Sequence, residues 1–281
     1  MFVVTGASGH TGAVVARTLL KQGQRVRVVL RDEARAEPWR RWGAEVVRAD
    51  LRDVSALAVA MVGAQGAYLM VPPPRPASTG VMEARGPVVD AMARAVEESG
   101  LPHFVLLSAM GAQHEGGTGL VKTLNLAERE LGSRGTPMTI LRSAYFMENW
   151  GQGLRAVVDS GVMPCFLGPA DRRMHMVATR DVGEVAARLL REPTLGRRVV
   201  ELAGPVEYSP LEVADTLARL LGRPIRLEEH TPAAEVPMLL GMVEDPLHMV
   251  RGWTTLDEVL GGLLRSLQAL PHMGEGMTAS P

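Results

Sequence analysis

Three glycines near the start of the chain are the residues whose spacing most clearly predicts chemistry. Gly6, Gly9 and Gly12 follow a short apolar run, and an amphipathic helical pattern over residues 13–20 follows them. In a strand–turn–helix of this kind, the first glycine makes the tight turn, the second lets the backbone approach a pyrophosphate, and the third lets the helix lie close to the sheet. The N–H groups of the first helical turn, at the positive end of the helix dipole, then face the phosphates. The spacing therefore predicts a dinucleotide-binding loop.

The end of the second predicted strand carries the residue that would select the cofactor. The apolar run Val26–Leu30 ends at Arg31. At this position an acidic residue accepts hydrogen bonds from a ribose 2′-OH, whereas an arginine accommodates a 2′-phosphate. Arg31, with Arg35 as a second candidate, therefore predicts NADP(H) in preference to NAD(H). The alternative is that Arg31 is a solvated surface side chain.

Other residues of the expected cofactor site come from the loop and from the ends of the third and fourth strands. The third strand ends at Asp50 and Leu51, which would border the adenine, and the fourth is a continuous apolar run stopped by prolines. Prolines cannot extend a ladder, so we expect an extended loop beside the cofactor, reaching to about Gly80. The predicted contacts beyond the glycines and Arg31 are Ser8, His10, Thr11, Asp50, Leu51, Met70, Val71 and Pro72.

A regular alternation of strands and helices must position these residues. After a first strand that begins at Phe2, the predicted strands are residues 26–30, 45–50, 67–71, 103–108 and 138–142. Helical patterns separate these strands, including one that starts at Pro87 and one over residues 120–131. A further helical pattern, over residues 182–191 and capped by Asp181, follows the last of them. This alternation is typical of an α/β fold with a doubly wound parallel sheet and right-handed crossovers.

The composition excludes several other classes of protein. Hydrophobic residues make up 46% of the 281 residues and the net charge is −1, so no overall field attracts nucleic acid or a membrane surface. Cys165 is the single cysteine, which rules out an intrachain disulfide and fits a reducing cytoplasm. We expect no signal peptide and no membrane span, because the first strand begins at Phe2 and no apolar run is long enough. The scattered histidines predict no metal site.

Several motifs together resemble one family, the NmrA-like atypical short-chain dehydrogenases, and within it the NAD(P)H:quinone reductase branch. The resemblance covers residues 1–224 well and fades beyond them. The residues that carry it are Val4–Gly12, Arg31, Tyr68–Pro73, Glu128 and Leu131 with Gly135 and Pro137, Thr139–Asn149, and Arg180–Ala187.

The resemblance implies a division of the chain into two parts. Residues 1–145, completed by about 174–204, would form a Rossmann domain that binds NAD(P). Residues 146–173 and 205–281 would form a small C-terminal α+β lobe on the substrate side, closing over the nicotinamide.

One departure from the wider superfamily bears directly on the chemistry. Its typical members protonate the substrate with a Tyr-x-x-x-Lys pair, but the residues four after the tyrosines here are Pro72, Asn149 and Glu212. Some relatives place a lysine four residues before the matching Glu128, where this chain has Leu124. The remaining candidates for catalysis, also expected to contact the cofactor, are Tyr145, Lys122 and Ser108. A capping role for Ser108 and a solvated surface position for Lys122 stay open.

The chemistry that survives without this pair is hydride transfer to an acceptor that needs little acid assistance. Ordinary carbonyl reduction needs an acid at the carbonyl oxygen, whereas a quinone is electron-poor enough to accept a hydride from NADPH without one. We therefore expect a reductase acting on a planar, apolar small molecule such as a quinone, as a monomer or homodimer. The alternative is a non-catalytic NADP(H)-binding redox sensor of the NmrA type with a regulatory protein partner. A sugar-nucleotide epimerase or lyase is disfavoured by the same missing pair.

Overall fold

The computed structural model describes residues 1–73, 81–116, 119–230, 243–244 and 248–269. The part of the expected proline-containing loop from Pro74 to Gly80 lies outside these residues, as do the lobe segments 231–242, 245–247 and 270–281.

Thirteen strands form within the described residues, and most of the predicted ones agree with them to within two residues. In chain order they are β1 (Phe2–Thr5), β2 (Val26–Leu30), β3 (Glu45–Arg48), β4 (Gly66–Met70), β5 (Phe104–Ala109), β6 (Met138–Ser143), β7 (Tyr145–Phe146), β8 (Val162–Cys165), β9 (Met174–Val177), β10 (Arg197–Ala203), β11 (Glu207–Tyr208), β12 (Arg226–Glu229) and β13 (Val250–Arg251).

Nine α-helices lie between or after these strands in the described part of the chain. They are α1 (His10–Lys21), α2 (Glu37–Arg41), α3 (Val54–Met61), α4 (Val81–Ser99), α5 (Lys122–Gly132), α6 (Leu154–Ser160), α7 (Thr179–Arg191), α8 (Pro210–Leu221) and α9 (Leu256–Ala269). Short 3₁₀ helices occupy Glu33–Arg35, Gly119–Val121 and Met147–Gly151.

The main sheet has eight strands in the order β13-β10-β6-β5-β4-β1-β2-β3, and every neighbouring pair is parallel. The order reverses direction between β1 and β4, which is the switch point where α/β sheets bind ligands outside the carboxyl ends of their strands. This confirms the predicted Rossmann-type, doubly wound α/β fold. The carboxyl ends of β1, β2 and β4 therefore bring the predicted cofactor residues to one edge.

Two apolar layers cover the two faces of the main sheet. On one face α1, α2 and α7 contribute the buried side chains, and on the other α3, α4 and α5 do so. The central strands β4, β5 and β6 are almost entirely buried, and β4 accordingly reads as a continuous apolar run, as expected for a parallel strand covered on both faces. Close approach of α1 and α7 depends on Gly183, because a Cβ there would lie 2.4 Å from Val14 Cβ.

A third cluster of buried apolar residues lies outside the main sheet. It combines α6, α8 and α9 with methionines such as Met147, Met163 and Met176. Two small sheets belong to this region: β11-β9-β7, and the parallel pair β12-β8. Two strands differ from the expected division, since β9 joins the small sheet and β13 extends the main one.

Two helix starts also differ from the sequence-based expectation. Helix α4 begins at Val81, so Pro87 lies inside the helix rather than in its first turn, at the expense of one backbone hydrogen bond. Helix α7 begins at Thr179, and the Glu148 carboxylate accepts hydrogen bonds from Thr179 N (2.9 and 3.0 Å) and Oγ1 (2.7 Å). Asp181 therefore lies in the first turn and does not cap the helix.

None of the helices described here has both the length and the apolar character that crossing a bilayer would require.

Candidate functional site

The glycine-rich loop folds into a turn that leaves backbone donors open to a ligand. Gly6 has a φ of +67°, a conformation that favours glycine, and Gly9 N donates to Gly6 O at 2.9 Å. The first bond within α1 runs from Ala13 N to Gly9 O at 3.2 Å. The N–H groups of the three residues before Ala13, beginning at His10, therefore have no acceptor within the helix. Donors of this kind, with the positive end of the helix dipole behind them, suit an anion.

The three glycines of the motif meet different surroundings. A Cβ on Gly12 would lie 2.4 Å from Gly6 O and 2.8 Å from Thr5 O, so this position must be glycine for α1 to pack against the β1 turn. A Cβ on Gly6 would lie 2.8 Å from Met70 Cγ. A Cβ on Gly9 would meet only Gly6 O, at 3.4 Å, and would otherwise point into open space. Gly9 is therefore the position where a side chain would obstruct a ligand rather than the fold.

Buried hydroxyl groups hold the loop against β4. Thr5 Oγ1 donates to Tyr68 O at 3.0 Å, and the Tyr68 hydroxyl donates to Thr11 Oγ1 at 2.9 Å. Tyr68 is fully buried, and this burial raises its pKa far above the usual value. Tyr68 and Thr11 thus orient the start of α1, and the Thr11 hydroxyl is already engaged within the protein.

A cavity of about 270 Å³ lies at the carboxyl ends of β1, β2, β3 and β4 and is named here the cofactor groove. Seven of the predicted cofactor residues line it, and Val71 lies buried beside them. The predicted residues in the lining are Gly6, Ser8, Arg31, Asp50, Leu51, Met70 and Pro72, and Pro73 of the expected loop lies with them; those that the sequence did not single out include Arg52, Arg85 and Val88.

The charges around the groove are distributed unevenly. Asp50 accepts hydrogen bonds from Arg52 Nη2 at 2.8 Å and Nε at 3.1 Å, and this arginine lowers the pKa of the Asp50 carboxyl to about 2. Arg31 is exposed at the end of β2, and Arg35 Nη1 donates to Ser8 O at 3.5 Å. Among the described residues, neither Arg31 nor Arg35 has a carboxylate within ion-pair distance. Two cations therefore lie beside the glycine-rich loop without an ion-pair partner among the described residues, although the charge of Arg31 also contributes to the lowered pKa of Asp50.

Arg85 is a groove residue that sequence reasoning missed. From the first turns of α4 it donates to Pro72 O (Nε, 3.1 Å), Thr123 Oγ1 (Nη1, 2.8 Å) and Leu120 O (Nη1, 3.3 Å). Burial lowers the pKa of this guanidinium, and within the described ranges no carboxylate pairs with it. Arg85 thus joins the end of β4 to the start of α5 while adding positive charge to the groove. An arginine in a largely apolar helical pattern was the available signal.

The position of Ser108 differs from the expectation that its hydroxyl faces the nicotinamide. Ser108 is buried on β5, and its Oγ donates to Glu128 Oε1 at 2.7 Å. The Glu128 carboxylate also accepts from Arg142 Nε (3.0 Å) and Nη2 (2.7 Å), and both charged side chains are buried. Because Ser108 and Arg142 are directly paired across β5 and β6, the hydroxyl completes a buried ion-pair cluster. A buried carboxylate needs such donors.

This ion-pair cluster extends to further charged groups. Arg197 Nη2 donates to Glu128 Oε2 at 3.2 Å, and Arg142 Nη1 contacts the Glu244 carboxylate. Glu244 N in turn donates to the Glu201 carboxylate at 2.9 and 3.0 Å. The cluster therefore ties α5, β6 and β10 to the segment that precedes β13.

Lys122 and Tyr145 lie on different elements. Lys122 is the exposed first residue of α5 and makes no hydrogen bond or ion pair with another described residue. Tyr145 lies on β7, half-buried, with its ring 6.0 Å from the Trp150 ring. Burial raises the pKa of Tyr145 to about 12, and a hydrogen bond with Asn149 opposes this in part. Asn149 thus contacts Tyr145 from the position where typical members of the superfamily have lysine.

The described side chains offer no metal centre. Nowhere in the described ranges do three or more histidine, cysteine, aspartate or glutamate side chains gather as a metal ion would need.

Comparison with known proteins adds two relatives and one solved structure. The chain is 32% identical over 234 residues to the (4-alkanoyl-5-oxo-2,5-dihydrofuran-3-yl)methyl phosphate reductase of Streptomyces griseus, covering 82% of this chain and 77% of that protein. It is 24% identical over 226 residues to an NAD(P)H azoreductase of Xenophilus azovorans, covering 80% and 76%. Its fold matches the NADPH-dependent quinone oxidoreductase of Escherichia coli complexed with NADPH, with a TM-score of 0.78, 23% identity, and coverage of 94% of this chain and 100% of that one.

The family profile that matches the chain is that of the NmrA-like family, over residues 1–253. The matched range includes the phosphate loop, every strand of the main sheet, and the Tyr145 and Asp181 regions. Because the match spans nearly the whole chain, this protein belongs to the NmrA-like family.

Proposed function

We propose that this protein is an NADPH-dependent reductase that transfers a hydride to a planar, electron-poor conjugated acceptor such as a quinone. The observation that carries the proposal is the make-up of the cofactor groove. Backbone N–H groups without an acceptor lie at the start of α1, and Arg31 and Arg35 stand beside Ser8 without carboxylate partners among the described residues. When bound there, NADPH would supply the hydride, and the chain has to bind and orient both reactants.

The residues present fit such a cofactor. The first-turn N–H groups of α1 would hold the pyrophosphate, and Arg31 with Arg35 would meet the 2′-phosphate. Asp50 and Leu51 would border the adenosine on the β3 side, with Pro72 opposite. Gly9 leaves open space where the backbone must approach the phosphates.

The absence of a dedicated acid supports a conjugated acceptor over a simple ketone. No tyrosine in the chain is followed four residues later by lysine. Burial raises the pKa of the Tyr145 hydroxyl to about 12, and a group with so high a pKa is a weak general acid. An acceptor that delocalises the incoming electron pair can take its protons from water instead.

The names of the relatives point to the same chemistry. Those proteins are named for an azo compound, a dihydrofuranone phosphate and a quinone. All three are conjugated acceptors. We extend this property to the present chain and propose the small lobe, residues 146–173 and 205–281, as the part that covers the substrate.

The test is steady-state oxidation of NADPH by the purified protein with a panel of quinones, an azo dye and a simple aliphatic ketone. We expect saturable turnover with the conjugated acceptors and none with the ketone. Turnover with the ketone alone would contradict the proposal. Tight NADPH binding, measured by calorimetry, without turnover of any acceptor would instead support the redox-sensor alternative.

A further inference from the structure

A second cavity lies next to the phosphate loop, on the side of α2. It has a volume of about 330 Å³ and is named here the Trp39 hollow, after a residue of its wall; Ser8, Arg17, Arg35 and Trp42 also line it. Ser8 lines both this hollow and the cofactor groove, so the two cavities meet at the phosphate loop. A group projecting from the adenosine end of a bound dinucleotide past Ser8 would enter the hollow.

Arg17 is held in this hollow by aromatic rings. Its guanidinium carbon lies 5.7 Å from the Trp39 ring centroid and 5.8 Å from that of Trp42. Trp39 is buried, whereas Trp42 is 46% exposed. At these distances the guanidinium makes cation–π contacts with both rings, and such contacts do not use its N–H donors.

The cations of the hollow differ from their neighbours in having no carboxylate partner. On the same stretch of chain, Arg40 pairs with Glu33 and Arg41 pairs with Glu37. Within the described residues, Arg17 and Arg35 have no carboxylate within ion-pair distance, and the Arg35 guanidinium donates to Ser8 O. Two guanidinium groups thus line a cavity beside the phosphate loop, and both keep N–H donors that a ligand could use.

We infer that Arg17, in cation–π contact with Trp39 and Trp42, forms with Arg35 the outer wall of the site for the cofactor's 2′-phosphate and strengthens the preference for NADP(H) beyond what Arg31 provides. A phosphate monoester carries close to two negative charges at neutral pH, as ~−1.5 to −2 for a phosphorylated side chain, and planar guanidinium groups match its oxygens. A carboxylate partner would compete for the same donors, and the tryptophans replace it. The inference rests on the proposed function only in taking NADP(H) as the ligand of the groove.

The first test compares cofactors in variants of Arg17. Calorimetry would measure the Kd of NADPH, NADH, 2′,5′-ADP and 5′-ADP for the wild type, Arg17→Met, Arg17→Lys and the control Arg25→Met, which changes an exposed arginine at the opposite end of β2. We expect Arg17→Met to weaken NADPH and 2′,5′-ADP by roughly tenfold or more, the range of a charged hydrogen bond. NADH and 5′-ADP should bind as in the wild type, Arg17→Lys should lose less, and Arg25→Met should change nothing.

The second test follows Trp42, which acts through Arg17. Trp42→Ala should lower the ratio of NADPH to NADH affinity, and Trp42→Phe should restore most of it because an aromatic face remains. In the wild type, 2′,5′-ADP should change tryptophan fluorescence, and in Trp42→Phe most of this change should be lost. Inorganic phosphate alone serves as a probe of whether the hollow binds a free anion without the nucleotide.

The outcomes separate this inference from the proposed function. Equal loss of NADPH and NADH affinity in Arg17→Met, or no loss of either, would overturn the role of Arg17. A fluorescence change with 5′-ADP equal to that with 2′,5′-ADP would overturn it too, as would phosphate binding that nucleotide does not displace. None of these results depends on turnover, so failure of the quinone assay would leave the inference standing.

Discussion

At the scale of single residues, the cofactor groove distinguishes paired from unpaired charges. Arg52 is engaged by Asp50, whereas Arg31 and Arg35 have no carboxylate partner among the described residues and lie next to the backbone that would hold the phosphates. Because surface ion pairs contribute little to stability, the difference matters for binding rather than for folding. Arg31 is the residue to test first, since it directly follows β2.

We predict that Arg31→Ala weakens NADPH binding by about 1.5–3 kcal/mol, the usual range for a charged hydrogen bond, and leaves NADH binding nearly unchanged. The reason is that only NADPH carries the 2′-phosphate. Titration of both cofactors by calorimetry measures the effect. An equal loss for both would show that Arg31 does not face the 2′-phosphate.

Tyr145 allows a test of whether any side chain is an indispensable acid. General acid catalysis typically contributes about 10²–10⁴-fold. We expect Tyr145→Phe, which keeps the ring and removes only the hydroxyl, to retain kcat within about tenfold, or roughly 1.4 kcal/mol of barrier. Lys122→Ala should likewise retain kcat within about tenfold. A drop in kcat of about a thousandfold with cofactor binding intact would identify Tyr145 as the acid.

The same residue gives a prediction for pH dependence. Burial raises the pKa of Tyr145 to about 12, so the folded protein keeps this proton where an ordinary tyrosine, with a pKa of about 10, would lose it. The kcat profile should therefore show no inflection from Tyr145 near pH ~10. Ionisation of the unfolded chain would come first, so stability from this group is present below about pH 10 and declines above it. Tyr145→Phe should make that decline shallower without abolishing it, because the pKa of buried Tyr68 is raised as well; denaturant unfolding at rising pH measures the difference.

At the scale of elements, the turn between β1 and α1 contains one glycine that the packing of α1 requires and another that leaves space for a ligand. Both Gly9 and Gly12 belong to the motif, but only Gly12 lies too close to backbone for a Cβ, which would be 2.4 Å from Gly6 O, against 3.4 Å for a Cβ on Gly9. Gly9 has a φ of −103°, which any residue can adopt, and its Cβ position has space. Substitution of Gly12 should therefore lower stability, whereas substitution of Gly9 should affect ligand binding.

We predict that Gly12→Ala lowers the free energy of unfolding by about 1–3 kcal/mol, the usual cost of overpacking, because the added methyl group forces α1 away from β1. Gly9→Ala should unfold like the wild type. Gly9→Val should stay folded and lose dinucleotide binding, because its side chain stands between the backbone and the pyrophosphate. Denaturant unfolding and calorimetry on the same samples measure both properties. A folded Gly9→Val that binds NADPH like the wild type would place the phosphate site elsewhere.

At the scale of the whole molecule, Asp181 holds the C-terminal segment against the Rossmann part. This fully buried carboxylate accepts hydrogen bonds from Trp253 N (2.7 Å), Thr254 N (2.8 Å) and Thr254 Oγ1 (2.5 Å). A Cβ on Gly252 would lie 2.4 Å from the Asp181 carboxylate, so the segment approaches as closely as a glycine allows. Helix α9, which contributes buried side chains to the third apolar cluster, begins directly after this contact.

We predict that Asp181→Ala lowers the free energy of unfolding by roughly 2–4 kcal/mol, because three donors lose a charged acceptor at a buried site. In Asp181→Ala the fluorescence of half-exposed Trp253 should change, because the segment that carries it is no longer held by the carboxylate. The control Asp215→Ala removes an exposed carboxylate from α8 and should leave unfolding unchanged. Equal stability of the two variants would show that the contact does not support the fold.

The amino-acid sequence by itself determined the features that depend on neighbouring residues. The phosphate loop, the strand before it and the helix after it are set by glycine spacing and apolar periodicity within about twenty residues. The alternation of strands and helices predicted the doubly wound sheet, because parallel strands need crossover helices. Arg31 could be assigned to the end of β2 for the same local reason.

The tertiary structure decided the features in which distant side chains meet. The Ser108 hydroxyl bonds to Glu128 because β5, β6 and α5 bring a buried arginine to the same place. Asp181, a predicted helix cap, instead serves a segment 72 residues further along the chain. No local pattern encodes such contacts, since a polar residue in an apolar run can be a cap, a ligand contact or an ion-pair partner. Which of these it becomes depends on the groups that the folded sheet and helices place around it.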